Sequence, residues 1–220
     1  MSKNILMVVT NHDTITEEQS TGLWLSEFGE AYNEFNKHGY HITVASPNGG
    51  GIPIDPNSVS DDEPQEILDT KPHLENTKPL VDVEADDYDA IFLPGGHGTM
   101  FDFPDNEKLQ KLLRGFYEDG KVVSAVCHGP AGLVGATLSN GDPLVKGKRV
   151  SAFTDAEEAE TGLDKHMPFL LESRLSELGA HVRNGANWAE HVEVDGRLIT
   201  GQNPQSTEAA AKEVVKQLNQ

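Results

Sequence analysis

Lys121-Val-Val-Ser-Ala-Val-Cys127-His128-Gly129-Pro130-Ala-Gly-Leu133 is the stretch on which the fold turns. Its first half is a run of β-branched and small apolar residues, the composition of a buried strand. Its second half opens a helix, and Pro130 suits a first-turn position where no amide donor is needed. Cys127, the only cysteine of the chain, falls on the tight turn between the two. A side chain there stands above the carboxyl edge of a sheet and faces the positive end of the following helix. That field predicts a thiolate and a lowered cysteine pKa. The arrangement is the sulfur counterpart of the strand–turn–helix nucleophile elbow, although the G-x-S-x-G form itself is absent. A lone cysteine is as often inert core packing, and the local sequence leaves both readings open.

Outward from this stretch the same alternation repeats. Residues 5–10, 40–45, 88–93 and 148–153 are apolar runs that predict buried strands. Residues 20–38 carry Trp24, Phe28, Ala31 and Phe35 at helical spacing, and Gly39 supplies the stop. Residues 105–117 repeat the pattern with Leu109, Leu112, Leu113 and Phe116. Residues 167–178 and 207–218 predict two more helices, 181–183 a short strand, and 191–200 a hairpin turning at Asp195-Gly196. Residues 58–79 are acidic and weakly patterned, a short helix within irregular connection. The alternation predicts one α/β domain over residues 1–220 with a mostly parallel sheet.

In this reading three strand exits converge on one sheet edge, which is where open α/β sheets bind ligands. One is the cysteine turn. The second is Pro94-Gly-Gly-His-Gly-Thr99, whose glycines let backbone approach a ligand and offer amide hydrogens to an anion. It is not a phosphate loop, because the G-x-x-x-x-G-K-[ST] lysine and hydroxyl are missing. His97 within it reads first as an ordinary loop histidine. The third exit is Thr154-Asp155-Ala156-Glu157-Glu158. On the helix at 20–38, Glu27 lies roughly 70° from the centre of the apolar stripe and Glu30 about 130°. Glu27 therefore tilts towards the core, where desolvation holds a carboxyl protonated, and Glu30 is expected in water.

A chain of 220 residues with 36% apolar and 24% charged residues has the composition of an ordinary soluble protein. Its net charge of −19 argues against nucleic acid or an anionic membrane as partner. One cysteine allows no internal disulfide and fits a reducing compartment. With a strand directly after the start and no run of membrane-span length, the expected location is the cytoplasm.

Taken in order, Phe92-Leu-Pro-Gly-Gly-His-Gly-Thr-Met-Phe-Asp102, Ala125-Val-Cys-His-Gly-Pro130 and Phe153-Thr-Asp155 resemble the PfpI-type superfamily. Thr21-Gly22 leading to Glu27, Pro53-Ile-Asp-Pro56 and Val194-Asp-Gly-Arg-Leu-Ile-Thr-Gly-Gln-Asn-Pro204 resemble one branch of it. That branch comprises small heat-shock chaperone proteins with glutathione-independent glyoxalase (glyoxalase III) activity. The resemblance runs from about residue 5 to the final helix. It implies the flavodoxin-like three-layer α/β/α sandwich of the class I glutamine amidotransferases. It implies Cys127 as nucleophile, His128 as its neighbouring acid/base and Glu27 as the carboxyl that hydrogen-bonds the sulfur. Glu158 falls at the acidic position of the triad, with the adjacent Glu157 as a competing choice. Gly95, Gly96, His97 and the backbone around His128 would form the oxyanion and substrate-binding site.

The implied reaction is that of a lyase of the D-lactate dehydratase type, serving stress protection. Methylglyoxal and related 2-oxoaldehydes become 2-hydroxy acids such as lactate through a hemithioacetal on the cysteine, with no cofactor and no metal. No two-His-one-carboxylate metal set can be mapped onto the sequence. The implied partners are a small reactive aldehyde and a second copy of the chain in a homodimer. Three other readings use the same residues or the same fold. They are a holdase chaperone, a redox sensor with an oxidisable Cys127, and a deglycase or hydrolase of the superfamily.

Overall fold

The strand Asn4–Val8 shows how the sequence generates layers. Ile5 and Met7 face one side, Leu6 and Val8 the other, and all four are fully buried. Apolar residues at both parities of a two-residue repeat demand helices on both faces. One face packs on Phe28, Ala31 and Phe35 of helix Leu25–Lys37 and on Ala210 and Val214 of helix Thr207–Leu218. The other packs on Leu109, Leu112, Leu113 and Phe116 of helix Glu107–Glu118 and on Leu175 of helix Leu171–Glu177. Two apolar clusters with one sheet between them make the flavodoxin-like α/β/α sandwich. The structure, a computed structural model, describes residues 2–220.

Seven strands lie in the order Val192–Asp195, Leu198–Gly201, Val122–Val126, Ala90–Leu93, Asn4–Val8, His41–Ser46 and Lys78–Pro79. Every neighbouring pair is parallel except the hairpin formed by the first two. The strand that feeds Cys127 is central, flanked by Ala90–Leu93 and Leu198–Gly201. The glycine loop and the cysteine turn therefore leave adjacent strands at the same edge.

The third expected exit arrives differently. Residues 148–153 do not join the main sheet: only Arg149–Val150 is extended, and it pairs with His181–Val182 in a separate two-stranded sheet. The chain still reaches the elbow, because the Phe153 N–H donates to the Cys127 carbonyl at 2.9 Å. Lys78–Pro79, inside the weakly patterned acidic stretch, is the edge strand, a position that tolerates proline.

Two helices begin later than their periodicity predicts. Met167 precedes Pro168, whose ring holds it extended (φ −79°, ψ 144°), so that helix starts at Leu171. Residues 21–23 are extended against 53–55, so the first starts at Leu25. Leu23 N–H donates to Pro53 O at 2.8 Å, Asp55 N–H to Leu23 O at 2.9 Å, and the Thr21 hydroxyl to Asp55 Oδ2 at 3.0 Å. This clasp fixes the start of helix Leu25–Lys37 and hence where Glu27 points. Glu30, expected in water, is half-buried, and burial raises its pKa to about 7.

Candidate active site

Cys127 sits at φ +59°, a left-handed conformation that is uncommon for a side-chain-bearing residue. Backbone in this region costs on the order of 1–3 kcal/mol and persists only where the surroundings impose it. They impose it here through Cys127 N–H donating to Gly201 O at 3.0 Å and Gly129 N–H to Val126 O at 2.7 Å. The turn throws the sulfur over the sheet edge and lets consecutive residues, Cys127 and His128, both face the same cavity.

The glycine loop presses directly on this turn. A Cβ on Gly95 would meet His128 N at 2.7 Å and Glu27 Oε2 at 2.9 Å. Gly96 has φ +103°, and a Cβ there would meet Gly22 O at 2.1 Å. Both positions thus require glycine. The Gly95 N–H is committed to Glu27 Oε2 at 2.5 Å instead of standing open to an oxyanion. Among the described residues the Gly96 N–H has no hydrogen-bond partner.

Glu27 is fully buried, as its angle on the helix predicts. Burial drives its pKa from 4.5 to about 8, opposed in part by Cys127 and the Gly95 amide. A pKa near 8 favours the protonated acid at neutral pH, and among the described residues its Oε1 meets no hydrogen-bond partner within ordinary geometry. Cys127 departs from expectation. Its thiol is pushed up, first by burial and then by Glu27, whereas the sequence reading expected it lowered. Burial dominates, and the following helix Ala131–Val134 is a single turn with too few aligned peptides to supply the opposing field. The resting sulfur is a thiol.

On the other side of the sulfur, His128 Nδ1 lies 3.4 Å from Cys127 Sγ, and its Nε2 lies 2.5 Å from Glu158 Oε2. His97 Nε2 meets the other oxygen, Glu158 Oε1, at 2.6 Å. Burial alone would raise Glu158, but the two imidazoles hold its carboxyl well below the usual range. An ionised carboxylate only accepts hydrogen bonds, so His128 Nε2 carries the proton. Burial and the neighbouring His97 lower the pKa of His128 and keep the ring neutral. A neutral ring protonated at Nε2 presents a bare Nδ1 to the sulfur.

The two adjacent acids separate cleanly. Glu157 closes a capping box with Thr154 and accepts from Trp188 N–H at 2.9 Å and Asn203 Nδ2 at 3.0 Å. Its carboxylate therefore holds the helix start and two loops, while Glu158, one residue on, turns onto His97 and His128. The T-x-x-E signature at Thr154 was legible in the sequence as a cap and would have separated them. His97 was read as a loop or substrate-binding histidine, and the structure places it on Glu158. Its nearness to Glu158 depends on long-range folding, and no local signal gives it away.

A two-His-one-carboxylate set, which the sequence did not allow to be mapped, does assemble. Ligand atoms of His97, His128 and Glu158 lie within 4.8 Å of one another. Both Nε2 atoms already pair with Glu158 oxygens, so the trio is satisfied internally.

A cavity of about 60 Å³ opens above the sulfur. Trp24, Phe153, Trp188 and Pro204 give it predominantly apolar walls, with His97 and His128 at its base. Phe153 packs on His128 with ring centroids 4.3 Å apart, and Trp188 meets Phe153 edge-on at 5.4 Å. None of these four wall residues was a sequence-level site candidate.

A central parallel strand, a strained cysteine at its carboxyl end and a His–Glu pair beside the sulfur define the class: an elbow-cysteine protein of flavodoxin-like architecture. The DJ-1/PfpI family matches residues 21–217, and the chain belongs to that family. It is 34% identical to Glyoxalase 3 of Candida albicans, covering 98% of each chain. It is 32% identical to the glutathione-independent glyoxalase HSP31 of Saccharomyces cerevisiae, covering 95% of each. The crystal structure of glyoxalase III from Candida albicans superposes with a TM-score of 0.91 at 33% identity, over 98% of this chain and 97% of that one. Rapid Encystment Protein 24 KDa of Francisella tularensis superposes at 0.94 and 38% identity, over 98% and 99%. Among the described residues no helix is long and apolar enough to cross a membrane.

Proposed function

We propose that this chain is a glutathione-independent glyoxalase that converts methylglyoxal and related small 2-oxoaldehydes to 2-hydroxy acids on Cys127. The observation that carries the reading is the sulfur's position between a buried, protonated Glu27 and the bare Nδ1 of His128. The names of the Candida and Saccharomyces relatives support it.

Each step has a group suited to it. Cys127 sulfur attacks the aldehyde carbon, forming a C–S bond while the carbonyl electron pair moves to oxygen. The thiol proton passes through His128 Nδ1 to that oxygen, giving a hemithioacetal. His128, neutral again, takes the C1 hydrogen as a proton, and the electron pair shifts to form an enediol as Glu27 protonates the C2 oxygen. The Gly96 amide steadies the developing negative charge. His128 then protonates C2 while the C1 hydroxyl proton returns to Glu27, leaving a thioester. Water cleaves it to lactate and restores the thiol. C1 is oxidised and C2 reduced within one molecule, so the balance requires only water. Glu158 acts through His128, fixing its tautomer and stabilising the transient imidazolium.

The reading takes residues 1–220 as one catalytic domain of the lyase type, with the cytoplasm and a homodimer as its expected setting. The direct test is lactate formation from methylglyoxal by purified protein without glutathione or any added cofactor. No lactate above the uncatalysed rate would end the proposal. Glu158→Gln is expected to lower kcat by roughly 10²–10⁴-fold while leaving the fold in place. An unchanged kcat would remove Glu158 from the triad.

A further inference from the structure

Trp188 is, with Cys127, one of only two non-glycine residues in a left-handed backbone conformation among the described residues, at φ +62°. For a bulky side chain this is a genuine outlier, and such outliers persist where the surroundings over-determine them. Here both ends of the residue are tied. Its backbone N–H donates to Glu157 Oε2 at 2.9 Å, and its indole N–H donates to Glu160 Oε2. Trp188 is 38% exposed, so core packing does not account for its placement. Its ring meets Phe153 edge-on, and Phe153 in turn packs on His128. A strained, doubly anchored, half-exposed aromatic at the mouth of a small apolar cavity is a steric cap.

We propose that Trp188 is the specificity-determining residue of the site, limiting it to aldehydes whose C2 substituent is no larger than a few heavy atoms. The inference rests on the glyoxalase reading for the identity of the substrate. The cap itself is a property of the cavity. In the proposed reaction the carbonyl carbon bonds to Cys127 and the oxygens turn towards Glu27 and Gly96, which leaves the C2 substituent to the apolar walls of Trp24, Phe153, Trp188 and Pro204. A cavity of about 60 Å³ leaves room for hydrogen or methyl at C2, and a phenyl ring would have to displace a wall, of which the exposed Trp188 is the outermost. Glu157 thereby acquires a second consequence. The residue that caps one helix also sets the backbone of the cap, so substrate size is governed from beside the triad.

Glycine is the informative substitution, because it removes the indole and occupies φ +62° without strain. In Trp188→Gly the ratio of kcat/KM for phenylglyoxal over methylglyoxal is expected to rise at least about tenfold, the scale of discrimination by apolar pocket walls. Glu160→Ala, which releases the indole and the Asn187 side-chain amide but leaves the Trp188 backbone N–H on Glu157, is expected to raise the same ratio by about threefold, the scale of a lost hydrogen bond. A second readout does not depend on turnover. Alkylation of Cys127 by phenacyl bromide and by bromoacetone forms a C–S bond with loss of bromide, and intact mass reports each rate. The ratio of the two rates should rise in both variants. If neither alkylation ratio moves, the cap is overturned, whatever the catalytic result. If the wild type alkylates as described but forms no lactate from methylglyoxal, the glyoxalase reading fails and the steric cap stands.

Discussion

Cys127→Ala is expected to abolish lactate formation from methylglyoxal, a loss of more than about 10³-fold, because every bond change in the proposed cycle is made on this sulfur. The variant isolates chemistry from folding. Alanine keeps the Cβ and so keeps the same left-handed backbone cost at φ +59°. The site it vacates is 3% exposed and ringed by groups that hold one another: Glu27 by Gly95, and His128 by Glu158. Thermal unfolding should therefore be near that of the wild type, and the loss should appear in kcat alone. Lactate formation at an undiminished rate would sink the covalent route. A protein that works as a holdase would suppress client aggregation equally well with alanine in place, which separates the two activities in one variant.

The second large effect concerns stability. In the unfolded chain Glu27 ionises near pH 4.5, whereas in the folded protein it holds its proton up to about pH 8. Between those values the folded state binds the extra proton, so this residue makes the fold progressively less stable as pH rises through the window. Below pH 4.5 both states are protonated and the penalty vanishes. Above pH 8 it levels off, at a magnitude on the order of 5 kcal/mol. Glutamine has the same shape and no proton to lose, and its carbonyl can still accept from the Gly95 amide. Glu27→Gln is accordingly expected to match the wild type in urea unfolding near pH 4.5 and to exceed it by several kcal/mol at pH 8, while losing most of its turnover. Parallel pH profiles for the two proteins would show that the carboxyl is ionised in the native state. The gain in stability on loss of function is the trade expected of a group placed for chemistry.

How much of this was legible in the sequence follows from which signals are local. The unbroken apolar run at residues 5–8 and the helical stripe of Phe28, Ala31 and Phe35 are local signals, and they led to one α/β domain with a mostly parallel sheet; the three layers were implied by the family resemblance. Glu27 could be found because one helix supplies both its angle and its burial. Gly95 and Gly96 could be found because only glycine tolerates those close approaches. Arg149–Val150 and His181–Val182 fall within runs read as strands, but their pairing in a sheet of their own could not be found, because it depends on contacts across some thirty residues of chain. The thiol's direction was misjudged because strand and turn composition say nothing of how short the next helix is. His97 meeting Glu158 and Trp188 meeting Phe153 are contacts across many residues of chain, set by the closing of the fold.

The chain contains two tryptophans, Trp24 and Trp188, and both wall the cavity over Cys127. All of its indole emission therefore originates within one side-chain shell of the reactive sulfur. The protein carries an unlabelled optical gauge of its own site, free of background from tryptophan elsewhere, in which quenching or a spectral shift can follow the arrival of an aldehyde, the oxidation of the thiol or the movement of the cap in real time.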